Sequence, residues 1–528
     1  MISEQQKVIN QSVLGIELGS TRIKAVLIDE DNKPIAQAAY SWENKLENGL
    51  WTYSINDIWH GIQICYSRLR MEVKSKYNSE IETLSAIGIS AMMHGYMVFN
   101  KNKELLVPFR TWRNTNTSNS ASVLSNLFSY NIPLRWSIAH LYQAILNNEE
   151  HVHEIDFLTT LSGYIHWQIT GEKVLGIGDA SGIFPIDSLT KDYSPTMIKK
   201  FENLIIEKNY KWKLSNILPK ILVAGENGGF LLEEGAKKLD VSGHLKPGIP
   251  VCPPEGDAGT GMVATNSIKP CTGSVSVGTS SFSMIVLEKD LSQHYKTIDI
   301  VATPEGNSVA MVHSNNCTSE LNSWINIFAD YNELMGISMN MDEIYDRIYK
   351  YSLKGDPDCG GLISYNYLSG EPITGMDKGC PLFMRLANSR LNLANFIRCH
   401  LYSSICILKI GNDILFNQEG VKIREIMGHG GFFKTKGVGQ QILADAINIP
   451  ISVMETAGEG GAWGIALLAS YMVNKSGDVS LADYLDNGVF KGKCVDRINP
   501  SRDGLVGFAK YMELYKRYLP VEAAAIKL

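Results

Sequence analysis

Two stretches of this chain repeat one another. Val13 to Asp31, VLGIELGSTRIKAVLIDED, sets apolar residues on either side of Gly19-Ser20-Thr21. Cys271 to Asp290, CTGSVSVGTSSFSMIVLEKD, does the same around Gly278-Thr279-Ser280. Each reads as a strand, a tight turn and a strand that ends in acid. The copies lie 259 residues apart, Gly19 to Gly278, in a chain of 528. One repeat at half the chain length is no solenoid; it points to two similar domains, each opening on a glycine–hydroxyl hairpin. A chain this long also exceeds what one hydrophobic core holds. No linker rich in Gly, Ser or Pro separates the halves, so the repeat itself sets the expected domains at 1–265 and 266–528.

Between the hairpins strand-like and helix-like segments alternate. Ala86 to Ser90 reads as a buried strand, Pro133 to Asn147 and Asp156 to Ile169 as helices, and Pro247 to Pro254 as an extended lead into Glu255-Gly256-Asp257. Leu391 to Leu415 and Gly437 to Asn448 carry helical spacing. Such alternation indicates an α/β architecture. The longest apolar run, Gly460 to Met472, is too short for a membrane span, and residues 1–12 lack the apolar core of a signal peptide. A net charge of −6 gives no electrostatic support to a nucleic-acid partner. Nine cysteines without a C-x-x-C pair read as free thiols. The expectation is a cytoplasmic protein with neither membrane nor nucleic acid as partner.

A turn of glycine and hydroxyl residues lets main-chain N–H groups approach an anion, so two copies suit the phosphates of one nucleotide. No G-x-x-x-x-G-K-[ST] occurs, which excludes a Walker loop, and neither glycine cluster Gly176/Gly178/Gly182 nor Gly458/Gly460/Gly461 keeps the dinucleotide spacing. Gly428-His429-Gly430-Gly431 enters a helical run, a place where a nucleoside can lie close to the backbone. Glu17 stands two residues before the first turn, where an acid is costly unless it faces a cation or polar cleft. Asp257 lies among small residues, accessible for chemistry but equally suited to capping a helix. Phosphoryl transfer needs such acids, one to take the acceptor's proton and others to place Mg²⁺. Met92-Met93-His94-Gly95 ends a strand, a place to meet a ligand.

Together these residues resemble the FGGY family of carbohydrate kinases, nearly end to end. GIELGSTRIK is similar to the family's first phosphate motif, GISAMMHGYMV to the sugar segment of xylulokinases, and PPEGDAGTGMV to the segment with the catalytic aspartate. HEIDFLTTLSGYIHWQITGEKVLGIGDASGIFPID follows the family's Thr-Gly-Glu and Asp-x-Ser-Gly order. SVGTSSF resembles the second phosphate motif, and GLISYNYLSGEP with LANSRLNLANFIRCHLYSSI the C-domain block. GHGGFFKTKGVGQQILADAINIPI with GEGGAWGIALLA resembles the adenosine motif and its closing helix.

The resemblance implies two actin-like, ribonuclease-H-like domains with ATP and a sugar in a cleft between them, and transfer of the γ-phosphoryl group to a terminal hydroxyl with Mg²⁺. It makes Asp257 the base, with Glu17 and Asp257 toward the metal. Gly19, Ser20, Thr21, Lys24, Gly278, Thr279 and Ser280 would handle phosphates, Gly430 and Gly431 would flank adenosine, and Met93, His94 and Asn114 would meet sugar. Three departures stand out: Glu17 replaces the family's aspartate, Ala258 replaces the asparagine usual in xylulokinases, and Trp112-Arg113-Asn114-Thr115-Asn116 replaces Trp-Asn-Asp-Gly-Arg. The expected acceptor is a ketopentose, xylulose or ribulose. A deoxyhexulose or polyol kinase, or an actin-like ATPase or sugar sensor without transfer, is the alternative, and a homodimer is the candidate assembly.

Overall fold

β1 (Val13–Leu18) is buried at every position except Glu17. It runs antiparallel to β2 (Arg22–Ile28), which pairs with β3 (Pro34–Ser41). Helix α1 (Ile55–Tyr77) covers this meander with Ile58, Ile62, Cys65, Leu69 and Val73, one apolar stripe at helical spacing. Its N-cap Ser54 accepts the Asp57 N–H, and Asn78 ends it in the left-handed region. On its other edge β1 pairs parallel with β4 (Ala86–Ala91), buried throughout, and β4 pairs parallel with β5 (Glu255–Gly256). β5 passes directly into helix α2 (Asp257–Ala264).

This computed structural model describes residues 3–454 and 460–528 and divides into two compact units. In the second, β6 (Thr272–Val277) and β7 (Ser281–Val286) form the antiparallel hairpin of the repeat. The sheet continues from β7 to β8 (Ser308–Ser314). After α3 (Leu393–Asp413), buried along most of its length, β9 (Glu425–His429) pairs parallel with β6. Helix α4 (Val438–Ile447) then leads to β10 (Ile451–Met454), parallel to β9. Both units therefore share one plan: a hairpin whose first strand also carries a parallel neighbour.

The division differs from two consecutive halves. Of the described residues, the first unit comprises 3–268, 299–309 and 460–492, and the second comprises the others. The reason is α5 (Gly460–Asn474), expected in the C-terminal half but packed on β1 and β4. A Cβ on Gly15 would overlap the Ala462 carbonyl oxygen and lie 2.8 Å from Ala466 N; one on Gly88 would lie 2.6 Å from Ile465 O. Two strand glycines thus let the helix backbone approach the sheet. The Trp463 indole N–H donates to Asn32 O at 3.0 Å and locks the helix to the β2–β3 turn. Gly458 and Glu459 of the GEGG segment lie outside the described residues.

All nine cysteines are free. No helix among the described residues is long and apolar enough to cross a membrane.

Candidate active site

In the first unit, register puts Glu17, Ser90 and Glu255 in one row across β1, β4 and β5, one residue before those strands end. Asp257 follows at the first position of α2. The carboxyl ends of parallel strands are where open α/β sheets bind ligands.

Asp257 is not the helix cap: Gly256 holds that position, without a side-chain cap. Its Oδ1 instead accepts the Met93 N–H at 3.2 Å. Burial pushes its pKa up to about 6, opposed by main-chain N–H groups, Met93 foremost. Glu17 is pushed up further, to about 7, first by burial and then by the negative charge of Asp257; Lys24 and the Ala462 N–H pull the other way. Lys24 faces Glu17 from the paired position on β2. At the start of α5, Gly461 has no room for a side chain: a Cβ would overlap Glu17 Oε1 and come within 2.7 Å of Thr260 Oγ1. Thr260, one turn along α2, reaches Ser90 Oγ at 3.2 Å.

The first turn is tied back from behind. Gly19 N–H donates to Arg22 O at 2.9 Å. Gly19 O accepts the Trp42 indole N–H at 2.7 Å, and Ser20 O accepts the Tyr53 hydroxyl at 2.6 Å. In a trans peptide the carbonyl and the following N–H point opposite ways, so the N–H groups of Ser20 and Thr21 face away from this aromatic backing. Trp42 and Tyr53 stack with ring centroids 4.1 Å apart. The Trp112 indole N–H also reaches Ser20 Oγ, at 3.1 Å.

Met93 and His94 are both buried, and His94 adopts a left-handed φ of 68°. The His94 Nδ1 lies 3.3 Å from Gly182 O, and the ring stacks on Trp136. Asn114 departs from the sugar role. Its Oδ1 accepts the Trp51 N–H at 2.9 Å, and its Nδ2 donates to Trp51 O and Thr111 O at 2.8 and 3.0 Å. Both amide protons are spent on the main chain, so Asn114 braces a loop instead of presenting donors to a ligand.

In the second unit Gly278 N–H donates to Ser280 O at 3.0 Å, closing the second turn. Gly430, at φ 102°, lies against the end of β6, 3.1 Å from Val277 C when a Cβ is placed on it, whereas Gly431 faces open space. The structure therefore brings Gly430 to the root of the second turn.

Two further acids, Glu255 and Asp179, support the site from behind. Glu255 accepts the N–H groups of Gly178 (3.1 Å) and Asp179 (2.9 Å). Asp179 Oδ2 accepts the hydroxyls of Thr160 (2.7 Å) and Ser162. Burial raises both, Asp179 to about 7 and Glu255 to about 8. They bind the Gly176–Gly182 segment, which backs His94, to the strand that delivers Asp257. The signal in the sequence was Glu255 itself, an acid after Val251-Cys252-Pro253-Pro254 that has no place in an apolar run without partners.

The N-terminal domain of the FGGY family of carbohydrate kinases matches residues 12–264, and its C-terminal domain matches residues 273–473. The chain belongs to the FGGY family of carbohydrate kinases. This FGGY kinase is 22% identical over 525 residues to a xylulose kinase of Haemophilus influenzae, covering 96% of this chain and 98% of that one. A ligand-bound xylulose kinase from Lactobacillus acidophilus shares its fold at a TM-score of 0.77 and 19% identity, covering 97% of this chain and 98% of that one. A gluconate kinase from the same organism matches equally, at a TM-score of 0.77 and 18% identity, with the same coverage. Proteins named for a ketose and for a sugar acid thus share this fold. The chain is a sugar kinase, and FGGY kinases use ATP.

Proposed function

We propose that this kinase transfers the γ-phosphoryl group of ATP to the terminal hydroxyl of a ketopentose, xylulose or ribulose, in the cytoplasm. The observation that carries the reading is Asp257: a partly exposed carboxylate at the strand ends, aimed by the Met93 N–H. With a pKa near 6 it is ionised at neutral pH yet basic enough to take a proton. Asp257 accepts the acceptor's hydroxyl proton as that oxygen bonds to the γ-phosphorus and ADP departs. The outward N–H groups of Ser20 and Thr21, with Lys24, stabilise charge on phosphate oxygens. In the second unit, Gly278, Thr279 and Ser280 are assigned to phosphate, and Gly430 and Gly431 to adenosine. Met93 and His94 are assigned to the sugar, His94 through a ring held by Gly182 and Trp136.

Mg²⁺ fits the donor set. Glu17 is raised first by burial and then by the negative charge of Asp257, and a cation there relieves a repulsion that Lys24 only partly offsets. Among the described residues no cluster of three or more His, Cys, Asp or Glu forms a closed metal cage. One or two carboxylates plus substrate phosphates and water is the usual Mg²⁺ arrangement. Glu17 and Asp257 would hold the ion, which supplies charge neutralisation on the phosphates.

The xylulose kinase relatives favour a ketopentose. Ala258, beside the base, removes one hydrogen-bonding side chain from the sugar side, so the acceptor is best decided by assay. ADP release measured over ketopentoses, ketohexoses, polyols and sugar acids, with product mass, tests the reading. Fastest turnover on xylulose or ribulose with a phosphorylated product supports it; a polyol or sugar acid turned over faster refutes the acceptor. ADP formed without a phosphorylated product makes the protein an ATPase or sensor. His94→Ala should chiefly raise the sugar KM, and an unaltered KM returns His94 to packing.

A further inference from the structure

Glu371 is fully buried in the second unit. It opens a tight turn in which its N–H donates to Met376 O at 2.6 Å and the Met376 N–H returns to Glu371 O at 3.1 Å. Its side-chain Oε2 gathers the N–H groups of Asn315 (2.9 Å) and Asn316 (3.3 Å), the Asn316 amide (3.2 Å) and the Ser314 hydroxyl (3.1 Å). Asn316 answers: its Oδ1 accepts the N–H groups of Leu368 and Ser369, both at 2.9 Å. One carboxylate and one amide therefore interlock residues 314–316 with residues 368–371. Cys317 is held as well, its carbonyl accepting the Asn366 amide at 2.8 Å.

The next residue, Thr318, gives its N–H (3.0 Å) and its hydroxyl (2.8 Å) to one acceptor, the carbonyl oxygen of Gly278. That carbonyl belongs to the Gly278–Thr279 peptide, and a trans peptide aims its N–H away from its C=O. Whatever fixes Thr318 therefore fixes where the Thr279 N–H points. In the first unit Trp42 and Tyr53 hold the corresponding carbonyls of Gly19 and Ser20; in the second a polar relay does that work.

We propose that Glu371 is a positioning residue for nucleotide phosphate, acting through Asn316 and Thr318 to hold the Thr279 N–H outward. The inference rests on the reading of Gly278–Ser280 as a phosphate turn. Neutral glutamine should serve in place of Glu371. Oε1 is buried without a donor, so an amide NH₂ there breaks no hydrogen bond while the amide oxygen keeps the Oε2 contacts. Burial already raises the proton affinity of this carboxyl.

The test uses the full chain. Hydrogen exchange of a peptide spanning residues 276–284, with and without MgADP, examines the phosphate reading alone: no protection in the parent protein overturns that reading whatever the variants do. Given protection, Glu371→Ala and Thr318→Val are compared with the parent in MgATP KM, sugar KM and melting temperature. Loss of one well-placed hydrogen bond predicts a MgATP KM about 10-fold higher, with sugar KM changed less than about 2-fold. Exchange in the 276–284 peptide rises, and Glu371→Gln restores most of the MgATP KM. An unaltered MgATP KM in folded variants, or equal losses for both substrates, overturns the proposal. If Glu371→Ala fails to fold, Thr318→Val decides by the same criteria.

Discussion

Replacing Asp257 with asparagine should lose activity and gain stability. Burial moves this carboxyl from 3.8 to about 6. That displacement corresponds to about 3 kcal/mol against the charged form, which partial exposure discounts to about 1–2 kcal/mol. The native state holds its proton up to about pH 6, whereas the unfolded chain gives it up near 4, so the destabilisation is fully present above pH 6 and fades as pH falls toward 4. Asparagine keeps an oxygen for the Met93 N–H and carries no charge. In metal-free, nucleotide-free buffer at pH 7.5, Asp257→Asn should melt about 1–2 °C above the parent, and the gain should vanish near pH 4. Coupled ADP release should show turnover lower by about 10²–10⁴-fold, the range for a positioned base. A lower melting temperature at pH 7.5, or a gain that grows on acidification, refutes the burial argument. Undiminished turnover refutes the base.

Glu17→Gln should raise the Mg²⁺ concentration needed for half-maximal rate while leaving sugar KM unchanged; an identical Mg²⁺ titration removes Glu17 from the metal shell. Asn114→Ala strips Trp51 and Thr111 of their side-chain partner and should destabilise by about 1–3 kcal/mol in chemical denaturation. A folded, equally stable Asn114→Ala with a raised sugar KM would instead make Asn114 a substrate contact. Gly15→Ala forces a Cβ into the backbone of α5 and should cost about 1–3 kcal/mol, read as a lower melting temperature; an unchanged melting curve refutes the close helix–sheet approach.

What the amino-acid order alone determined is local and repeated. Glycine next to two hydroxyl residues, flanked by apolar runs, can hardly be other than a strand–turn–strand unit, and both copies form hairpins. The helices expected at Leu391–Leu415 and Gly437–Asn448 form as Leu393–Asp413 and Val438–Ile447, because their apolar periodicity is sustained over several turns. Asp257 and Glu17 were legible because acids among small or apolar residues need a reason to be there.

Tertiary structure alone decided the rest. α5 joins the first unit, far away in sequence, because Gly15 and Gly88 leave space where Cβ atoms would stand, and that space exists only once the sheet is built. Asn114 looks like a ligand contact until the chain folds and Trp51 takes its amide. Glu255 and Asp179 are separated by about 75 residues, and Glu371 acts on Gly278 from further still. Hydrogen bonds between such partners leave no periodic trace in the sequence, since they depend on where folding brings each group and not on its neighbours in the chain.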